Sequence, residues 1–385
     1  MKHFHSFSLN NHLSLLRSGK AYFARLIELI NDAKSSIHFQ VYIFDWDITG
    51  NRIIEALVKA SHRGVKVYLV VDGYASPQFT KQRVLYLNES GIDVKLFAPF
   101  HIRRLKIGRR LHHKIILFDK QTALIGGINI ADKYSGFHGE VPWLDLAIEV
   151  QGKICMDIYL LCISLWPKRA RKRMNKTNFL LVDNVASVKL RLLQNDWWRR
   201  KIEISQAYRN AMRYSQSDLT IVVSYFLPGY RIRKLIQNAV KRGVKVTFIF
   251  GAKSDVSVFK SANYYLYTLL LKQGVTIYEW RGSILHAKFA IMDGIWVTVG
   301  SYNLNSLSDY GSIEANIEII NEAVAVATQK LIYTIIEEGC TQVNSVTFVK
   351  QNTLLLQTYR WCCYQVVKLG LFFIFLLMRK DKLKL

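Results

Sequence analysis

The chain has 385 residues, half of them hydrophobic, so it is long enough for two ordinary domains or one large duplicated one. Its 53 basic residues outnumber its 28 acidic residues and give a formal net charge of +25, which favours anionic partners such as phospholipid headgroups or nucleic acid. The five cysteines have neither C-x-x-C nor zinc-finger spacing, which argues against a C-x-x-C protein and against a zinc-finger protein. The simpler interpretation is a reducing, cytosol-facing location.

The amino terminus lacks the pattern of a secretory signal. The first 21 residues contain Lys2, His3, His5 and Asn10 but no continuous apolar stretch, and no membrane span follows them. We therefore expect the amino terminus to be cytoplasmic.

A strand, a helix and a second strand follow one another twice along the chain. Each predicted helix has apolar residues at helical spacing and ends at a glycine, Gly64 or Gly243, that can adopt the left-handed conformation. The strands are continuous apolar runs, as expected of strands buried on both faces. The predicted elements are 36–44, 51–64 and 65–73 in the first copy and 219–227, 229–243 and 244–252 in the second. The pattern predicts two related α/β halves, each with a mixed, mainly parallel β-sheet flanked by helices.

The two halves are joined near residues 167–180, where a proline is followed by the basic run KRARKR. This run is either a solvated linker or, together with the preceding apolar segment ICMDIYLLCISLW, a patch that contacts lipid. We expect a first half at 1–175, a second half at 176–345 and a hydrophobic, basic tail at 346–385 that associates with a membrane.

Each half contains the same motif, which reads H-x-K, four residues, D, six residues, then G-[G/S]-x-N. The first copy is HHKIILFDKQTALIGGIN and the second is HAKFAIMDGIWVTVGSYN. The candidate residues of the two copies are His112, Lys114, Asp119 and Asn129, and His286, Lys288, Asp293 and Asn303.

The residue types of the motif suit phosphodiester chemistry. Side chains alternate along a strand, so His112 and Lys114 share one face, as do His286 and Lys288, while His113 points the other way and is predicted to be structural. Two lysines and two asparagines could stabilise the negative charge of a phosphodiester, so no metal or other cofactor is required. A neutral imidazole can attack phosphorus while a protonated one donates its proton to the departing oxygen.

The segment 361–378 is almost wholly apolar and is followed by lysines and an arginine. A span needs roughly 20 apolar residues, so this segment is borderline for crossing a bilayer. An interfacial helix, a spanning helix and a packed core helix are the three alternatives.

The duplicated motif resembles that of the phospholipase D superfamily, and the resemblance extends from about residue 15 to residue 345. Four further segments resemble bacterial cardiolipin synthases, specifically the short form without amino-terminal membrane helices. They are GGINIADKYSG and PWLD in the first half, and YFLPGYRIRKLI and GSYNLNSLSDYGSIEANIEI in the second. The resemblance implies two pseudo-symmetric phospholipase-D-like halves with one active site at their interface.

The resemblance also implies roles for the motif residues. The histidine of the first motif usually forms the covalent bond, which points to His112 as nucleophile and His286 as acid and then base; the reverse assignment stays open. The motif aspartates usually support the fold around the site. The matching phosphate ligands are Lys114, Lys288, Asn129 and Asn303, and the matching aspartates are Asp119 and Asp293.

Two further acidic residues match those that orient the histidines in the family. They are Asp145 in PWLD and Glu314 in SIEAN, each holding one imidazole tautomer as the aspartate of a serine-protease triad does. The alternative is that both are surface carboxylates. Gly127 stands where the superfamily usually has serine, so one hydroxyl to the phosphate is expected to be lost on that side.

The resemblance implies transfer of a phosphatidyl group from phosphatidylglycerol to the glycerol hydroxyl of another phosphatidylglycerol, through a phosphohistidine, with release of glycerol. The expected partners are anionic phospholipids, including phosphatidylglycerol and cardiolipin, at the cytoplasmic face of the cell membrane; no nucleic acid is expected and no oligomer is required. The aromatic and basic stretches at 100–114 and 195–201 suit a membrane interface, but also single-stranded nucleic acid. Hydrolysis by a phospholipase D, a nuclease of the same superfamily and an inactive lipid-binding protein are the alternatives.

Overall fold

The computed structural model describes residues 6–99, 109–137, 139–174 and 188–382, with side chains up to residue 373 in the last helix. Most of the aromatic and basic stretch at 100–114 and the second part of the predicted joint lie outside these ranges. The chain forms two mixed β-sheets flanked by helices, which confirms the predicted α/β fold in two halves.

The first sheet is built from residues of the first half. Its strands are β1 (Asn11–Arg17), β2 (Ser36–Val41), β3 (Lys66–Asp72), β4 (Ile92–Phe97), β6 (Lys114–Phe118), β7 (Thr122–Gly126) and β8 (Leu146–Gly152). They lie in the order β1-β8-β7-β6-β2-β3-β4. Among the described strands of this sheet, the parallel pairs are those of β2 with β3 and of β3 with β4.

The second sheet contains strands of the second half and one short strand of the first, β5 (Arg110–Leu111). Its other strands are β9 (Lys189–Asp196), β10 (Lys201–Ile202), β11 (Asp218–Val222), β12 (Lys245–Gly251), β13 (Thr276–Trp280), β14 (Phe289–Met292), β15 (Trp296–Gly300), β16 (Ser312–Ile320) and β17 (Cys340–Gln342). The main path is β10-β9-β16-β15-β14-β11-β12-β13-β17, and β5 pairs with β16.

The helices lie between and around these strands. They are α1 (Lys20–Asp32), α2 (Ile48–His62), α3 (Lys81–Glu89), α4 (Asp132–Ser135), α5 (Ile154–Ser164), α6 (Lys168–Met174), α7 (Glu203–Tyr214), α8 (Tyr230–Lys241), α9 (Ser257–Lys272), α10 (Ser306–Tyr310), α11 (Glu322–Gly339), α12 (Ser345–Gln351) and α13 (Leu354–Lys382).

The predicted repeat is present as β2-α2-β3 and β11-α8-β12, with parallel strand pairs in both copies. The stop glycines have positive φ angles, +92° at Gly64 and +90° at Gly243. The prediction of mainly parallel sheets is wrong, because most strand pairs outside these units are antiparallel. The motif residues themselves form antiparallel hairpins, which need only a short turn between strands.

The apolar segment before the basic run is not available for contact with lipid. It forms α5, and most of its side chains, including Ile154, Ile158 and Cys162, are buried in the core. The lipid-contact alternative is therefore wrong for this segment. The basic run forms most of α6, where Lys168, Arg169 and Lys172 are exposed.

One hydrophobic cluster joins the two halves. It includes Ile115 and Ile148 on the first sheet, Ile158 on α5, and Phe289 and Ile317 on the second sheet, all of them buried. Since burying such side chains stabilises the fold by about 1.5–3 kcal/mol each, this cluster fixes the halves against one another.

The tail forms the long helix α13, which packs along α9. Tyr364 and Val367 are buried in the core of the second half, and the ring of Tyr364 lies 5.0 Å from that of Tyr265. Among the described residues, no helix has the length and apolarity required to cross a bilayer. One side of this helix is thus packed against the protein, as the core-helix alternative predicts.

Candidate active site

Each motif folds as a β-hairpin whose two ends meet at one edge of its sheet. In the first half, Lys114 at the start of β6 lies opposite Gly126 at the end of β7. In the second half, the backbone N–H of Gly300 at the end of β15 donates to the carbonyl of Lys288, at 3.2 Å. The hairpin therefore brings the H-x-K and the G-x-N ends of each motif together.

The backbones around the histidines are hydrogen-bonded across the boundary between the halves. The N–H groups of His112 and of the next residue donate to the carbonyl of Ile313, both at 3.0 Å. Reciprocally, the N–H groups of His286 and of the next residue donate to the carbonyl of Leu144, at 2.7 and 3.0 Å. The two motifs are thus held together by equivalent contacts, as in a pseudo-twofold arrangement.

The histidine–carboxylate pairs also cross this boundary. Nδ1 of His112 lies 2.9 Å from Oε2 of Glu314, and Nδ1 of His286 lies 2.6 Å from Oδ2 of Asp145. Neither half therefore completes its own pair. Asp145 and Glu314 are 1% and 0% exposed, so the alternative of surface carboxylates is wrong. With Nδ1 engaged, Nε2 is the nitrogen of each imidazole that can take part in chemistry.

The two carboxylates differ in their other partners. Glu314 accepts hydrogen bonds from the hydroxyls of Ser301, at 2.5 Å, and Ser308, at 2.7 Å. Asp145 accepts one from the backbone N–H of Leu146, at 2.8 Å. Each imidazole is thus hydrogen-bonded to a carboxylate, but the two carboxylates have different hydrogen-bond donors around them.

Gly127 is packed directly against Asp145. A Cβ atom on this glycine would lie only 2.2 Å from Oδ1 of the carboxylate, so no larger residue fits without displacing it. The equivalent hydroxyl in the second half, on Ser301, donates to Glu314. This hydroxyl therefore holds the carboxylate of Glu314, and Gly127 has no side chain to make the equivalent bond to Asp145. The loss of a hydroxyl contact to the phosphate at Gly127 stays a prediction.

Both motif lysines are buried, with exposures of 4% for Lys114 and 1% for Lys288. Each ammonium donates to the carbonyl oxygen of the histidine two residues before it. Burial, together with the charge of Lys288, lowers the pKa of Lys114 to about 7. Burial lowers the pKa of Lys288 to about 8, opposed by the charge of Asp145. An anion bound here would favour the charged form of both lysines.

The imidazoles and Asp145 are affected by the same burial. It lowers the pKa of His112, opposed by Glu314, and it lowers the pKa of His286 further because Lys288 adds to the effect. Burial raises the pKa of Asp145 to about 7, opposed mainly by Lys288. Asp145 and His286, whose Oδ2 and Nδ1 atoms lie 2.6 Å apart, therefore titrate as a coupled pair.

The motif asparagines connect the hairpins to the loops after β2 and β11. Oδ1 of Asn129 accepts from the N–H of Ile43, at 3.1 Å, and its amide donates to the hydroxyl of Tyr134, at 2.9 Å. Oδ1 of Asn303 accepts from the N–H of Tyr225, at 3.3 Å. The predicted strands at 36–44 and 219–227 end earlier than expected because their last residues turn toward these amides.

The motif aspartates lie at the other end of the hairpins. Asp119 accepts from the backbone N–H groups of Lys34, Ser35 and Ser36, at 2.7–2.9 Å, and Asp293 makes the same contacts with residues 216–218. Burial alone would raise the pKa of both carboxyl groups, but these hydrogen bonds hold it below the ordinary value. Their contacts are with the loops that precede β2 and β11.

Other residues around the histidines were not identified from the sequence. The ring of Tyr42 lies 4.8 Å from that of His112, and the rings of Tyr134 and Trp143 lie 5.4 and 6.0 Å from that of His286. They lie outside the motif spacing, which therefore gives no signal for them. His113 is fully buried, with Nε2 2.8 Å from the amide oxygen of Gln40, in the structural position predicted for it.

Comparison with protein families gives one matching model, described as "Cardiolipin synthase, PLD-like domain", at residues 26–145 and 208–335. Cardiolipin synthase B of Shigella flexneri is 29% identical over 348 residues, which cover 89% of this chain and 84% of the relative. Cardiolipin synthase B of Salmonella typhi is 30% identical over the same shares. Cardiolipin synthase 1 of Bacillus anthracis is 28% identical, over 80% of this chain and 62% of the relative.

Solved structures with a similar fold have lower sequence identity. Phosphatidylserine synthase of Haemophilus influenzae superposes with a TM-score of 0.71 at 18% identity, covering 94% of this chain and 95% of that one. Polyphosphate kinase of Porphyromonas gingivalis superposes with a TM-score of 0.58 at 15% identity, covering 88% of this chain and 49% of that one. At these identities the likeness concerns the fold.

The crossed pairing predicts which histidine responds when a carboxylate is neutralised. In Glu314→Gln, the imidazole of His112 should lose its preference for the Nδ1–H tautomer, while that of His286 should be unchanged. The ¹⁵N chemical shifts of the ring nitrogens at pH 7 measure this preference. Asp145→Asn is the matched control and should change His286 alone; a response of His286 to Glu314→Gln would contradict the crossed pairing.

The contact of Gly127 with Asp145 predicts that even a methyl side chain at position 127 destabilises the protein. Gly127→Ala should lower the free energy of unfolding by about 1–3 kcal/mol, because the methyl group must displace the buried carboxylate. Urea unfolding measures the change. Gly229→Ala is the control, since a Cβ there would have no neighbour within 4 Å, and equal stability of the two variants would refute the contact.

Proposed function

The chain belongs to the family of cardiolipin synthases with a phospholipase-D-like domain, as predicted from its duplicated motif, and on this premise we propose that it makes cardiolipin from phosphatidylglycerol. The observation that carries the proposal is the crossed pairing of His112 with Glu314 and of His286 with Asp145. It brings two imidazoles and two lysines to one place, which is what a two-step displacement at phosphorus requires.

In the first step, Nε2 of His112 attacks the phosphorus of one phosphatidylglycerol. The bond from phosphorus to the glycerol oxygen breaks, and the departing oxygen takes a proton from His286. The products are a phosphatidyl group attached to His112 and free glycerol. Asp145 supports this role because its carboxylate, 2.6 Å from Nδ1 of His286, stabilises the protonated imidazole.

In the second step, His286 removes the proton from a glycerol hydroxyl of a second phosphatidylglycerol. The oxygen attacks the phosphohistidine, the bond from phosphorus to His112 breaks, and cardiolipin is released. Glu314, held by two serine hydroxyls, keeps the proton of His112 on Nδ1 and so keeps Nε2 nucleophilic.

The phosphate would be bound by the buried lysines and by the motif asparagines. The two ammonium groups lie next to the histidines, where they can offset the negative charge that grows on the phosphate oxygens. The amides follow the second strand of each hairpin and lie at the same end of it as the histidine and the lysine. Asp119 and Asp293 would act only by supporting the loops beneath the site. The proposed ligands are Lys114, Lys288, Asn129 and Asn303.

We further propose that residues 1–175 and 176–345 are the two catalytic halves and that 346–385 associates with the cytoplasmic face of the cell membrane. Support comes from the surface of α13 that is not packed on α9. Its exposed apolar side chains are Leu354, Leu355, Tyr359, Trp361, Val366, Leu369, Phe372 and Phe373. Such a stripe suits a helix that lies in the interface.

The reaction is tested with purified protein and phosphatidylglycerol in mixed micelles, with a chelator present and the lipids read by mass spectrometry. We expect cardiolipin and released glycerol, and a loss of at least a thousandfold in His112→Ala because the nucleophile is removed. Phosphatidic acid alone would mean a phospholipase. Cleavage of single-stranded DNA without lipid turnover would mean a nuclease.

The roles of the histidines are distinguished by the two single variants. His286→Ala keeps the nucleophile but lacks the acid, so it should accumulate a covalent phosphatidyl-enzyme that intact-protein mass spectrometry detects. Accumulation in His112→Ala instead would reverse the assignment.

The lowered pKa values of the lysines predict weaker anion binding at alkaline pH. A bound phosphodiester raises the lysine pKa, so binding takes up a proton above pH 7–8 and affinity falls as pH rises through the free-enzyme values. The inhibition constant of dimethyl phosphate, whose own charge is constant in this range, should rise above pH 8 by up to about tenfold per pH unit for each lysine that binding protonates. A constant value from pH 7 to 9.5 would show that the lysines titrate normally.

A further inference from the structure

A second basic site lies outside the active site, in a groove of about 730 Å³ between α7, α8 and α10. Its cationic lining residues are Arg209 and Arg213 on α7 and Arg231 and Lys234 on α8. None of the motif histidines, lysines or asparagines lines it. The groove therefore needs an explanation other than the chemistry of the phosphohistidine.

The positive charge of this groove is not matched by carboxylates. The polar contacts of two of its cations are with neutral amide oxygens, since Arg209 donates to Gln206, at 3.0 Å, and Lys234 donates to Gln237, at 3.1 Å. Within the described ranges, none of the four cations forms an ion pair within 4.0 Å. Four like charges around one space repel each other, and a bound anion would relieve that repulsion.

The one carboxylate in the lining has its own partners. Asp309 accepts from the hydroxyl of Tyr302, at 2.7 Å, and from the hydroxyl of Ser205. These bonds tie it to the wall of the groove, and its charge interacts with Arg209. The lining still has four cations against one carboxylate, so the space keeps an excess of positive charge.

The remaining lining favours a lipid over a free ion. Ile202 and Leu235 supply apolar surface, and Tyr230 and Tyr310 are 71% and 42% exposed. Tyrosines and aliphatic side chains beside arginines are typical of surfaces at the headgroup level of a membrane. The helix α13, with its exposed apolar stripe, also contacts α10, which forms one wall of the groove.

We propose that this groove binds the phosphodiester of an anionic phospholipid as a second lipid site, distinct from the one at the histidines. The choice of a lipid as the ligand rests on the proposed function. The groove is also close to the chemistry, because α10 contributes Asp309 to it and Ser308 to Glu314. A lipid held there would keep the protein on a membrane surface that contains its substrate.

The test counts lipids bound per chain by isothermal titration, with dihexanoyl phosphatidylglycerol below its critical micelle concentration. All proteins carry His112→Ala, so that turnover does not consume the probe. We expect two lipids per chain in this background and one after adding Arg213→Gln and Arg231→Gln. The matched control adds Lys59→Gln and Lys66→Gln, two exposed lysines of the first half, and should still bind two.

Three results would overturn the proposal. They are one lipid per chain in every protein, an equal loss in the control variant, and displacement of the second lipid by millimolar inorganic phosphate, which would indicate a free-phosphate site. Thermal unfolding checks that the variants are folded. The proposed function is tested separately, by cardiolipin formation in chains with intact His112. If no cardiolipin forms but two lipids bind, the proposed function is wrong and the lipid site in the groove stands. If cardiolipin forms but one lipid binds, the lipid site in the groove is wrong and the proposed function stands.

Discussion

The active site depends on a hydrogen-bond exchange between the two halves of the chain. The carbonyl of Ile313 receives two N–H groups from the first motif, and that of Leu144 receives two from the second. Each carbonyl belongs to the residue immediately before a histidine-orienting carboxylate, so the same contact that joins the halves sets the distance between imidazole and carboxylate. The shared hydrophobic cluster beneath makes this geometry rigid. A site of this kind is held by the packing of the two sheets and not by a flexible loop.

The second determinant is the burial of positive charge. Lys114 and Lys288 are almost fully removed from water, and their nearest acceptors are backbone carbonyls and an imidazole. Keeping two ammonium groups charged in such surroundings is costly, which is why their pKa values are lowered. Under the proposed function, a phosphodiester would supply the missing negative charge. The site is thus complementary to an anion before the anion arrives, and little rearrangement is needed when charge develops during the reaction.

Much of this arrangement could be predicted from the sequence, because it is encoded locally. The alternation of side chains along a strand places the histidine and the lysine of each motif on one face, and the repeated strand–helix–strand pattern predicts the βαβ unit of each half. The crossing of the pairs could not be predicted in the same way, since it depends on how the halves are oriented. The carboxylate of Asp145 is close to its own motif in sequence, yet its partner is His286. Similarly, the apolar residues of α5 have the composition of an interfacial segment, and only the packing of the sheets shows that they are core.

The joining of both halves in one chain has a consequence for how the site could diversify. In a symmetric homodimer, any substitution near one histidine is necessarily repeated near the other. Here the surroundings differ: Asp145 packs against Gly127, where a Cβ atom would displace the carboxylate, while the hydroxyl of Ser301 donates to Glu314. Because the two halves are parts of one chain, the two imidazoles need not have identical surroundings, and each can specialise. Gene duplication followed by fusion would thus have done more than link the two halves, since it allowed the two histidines to take different roles within one pseudo-twofold structure.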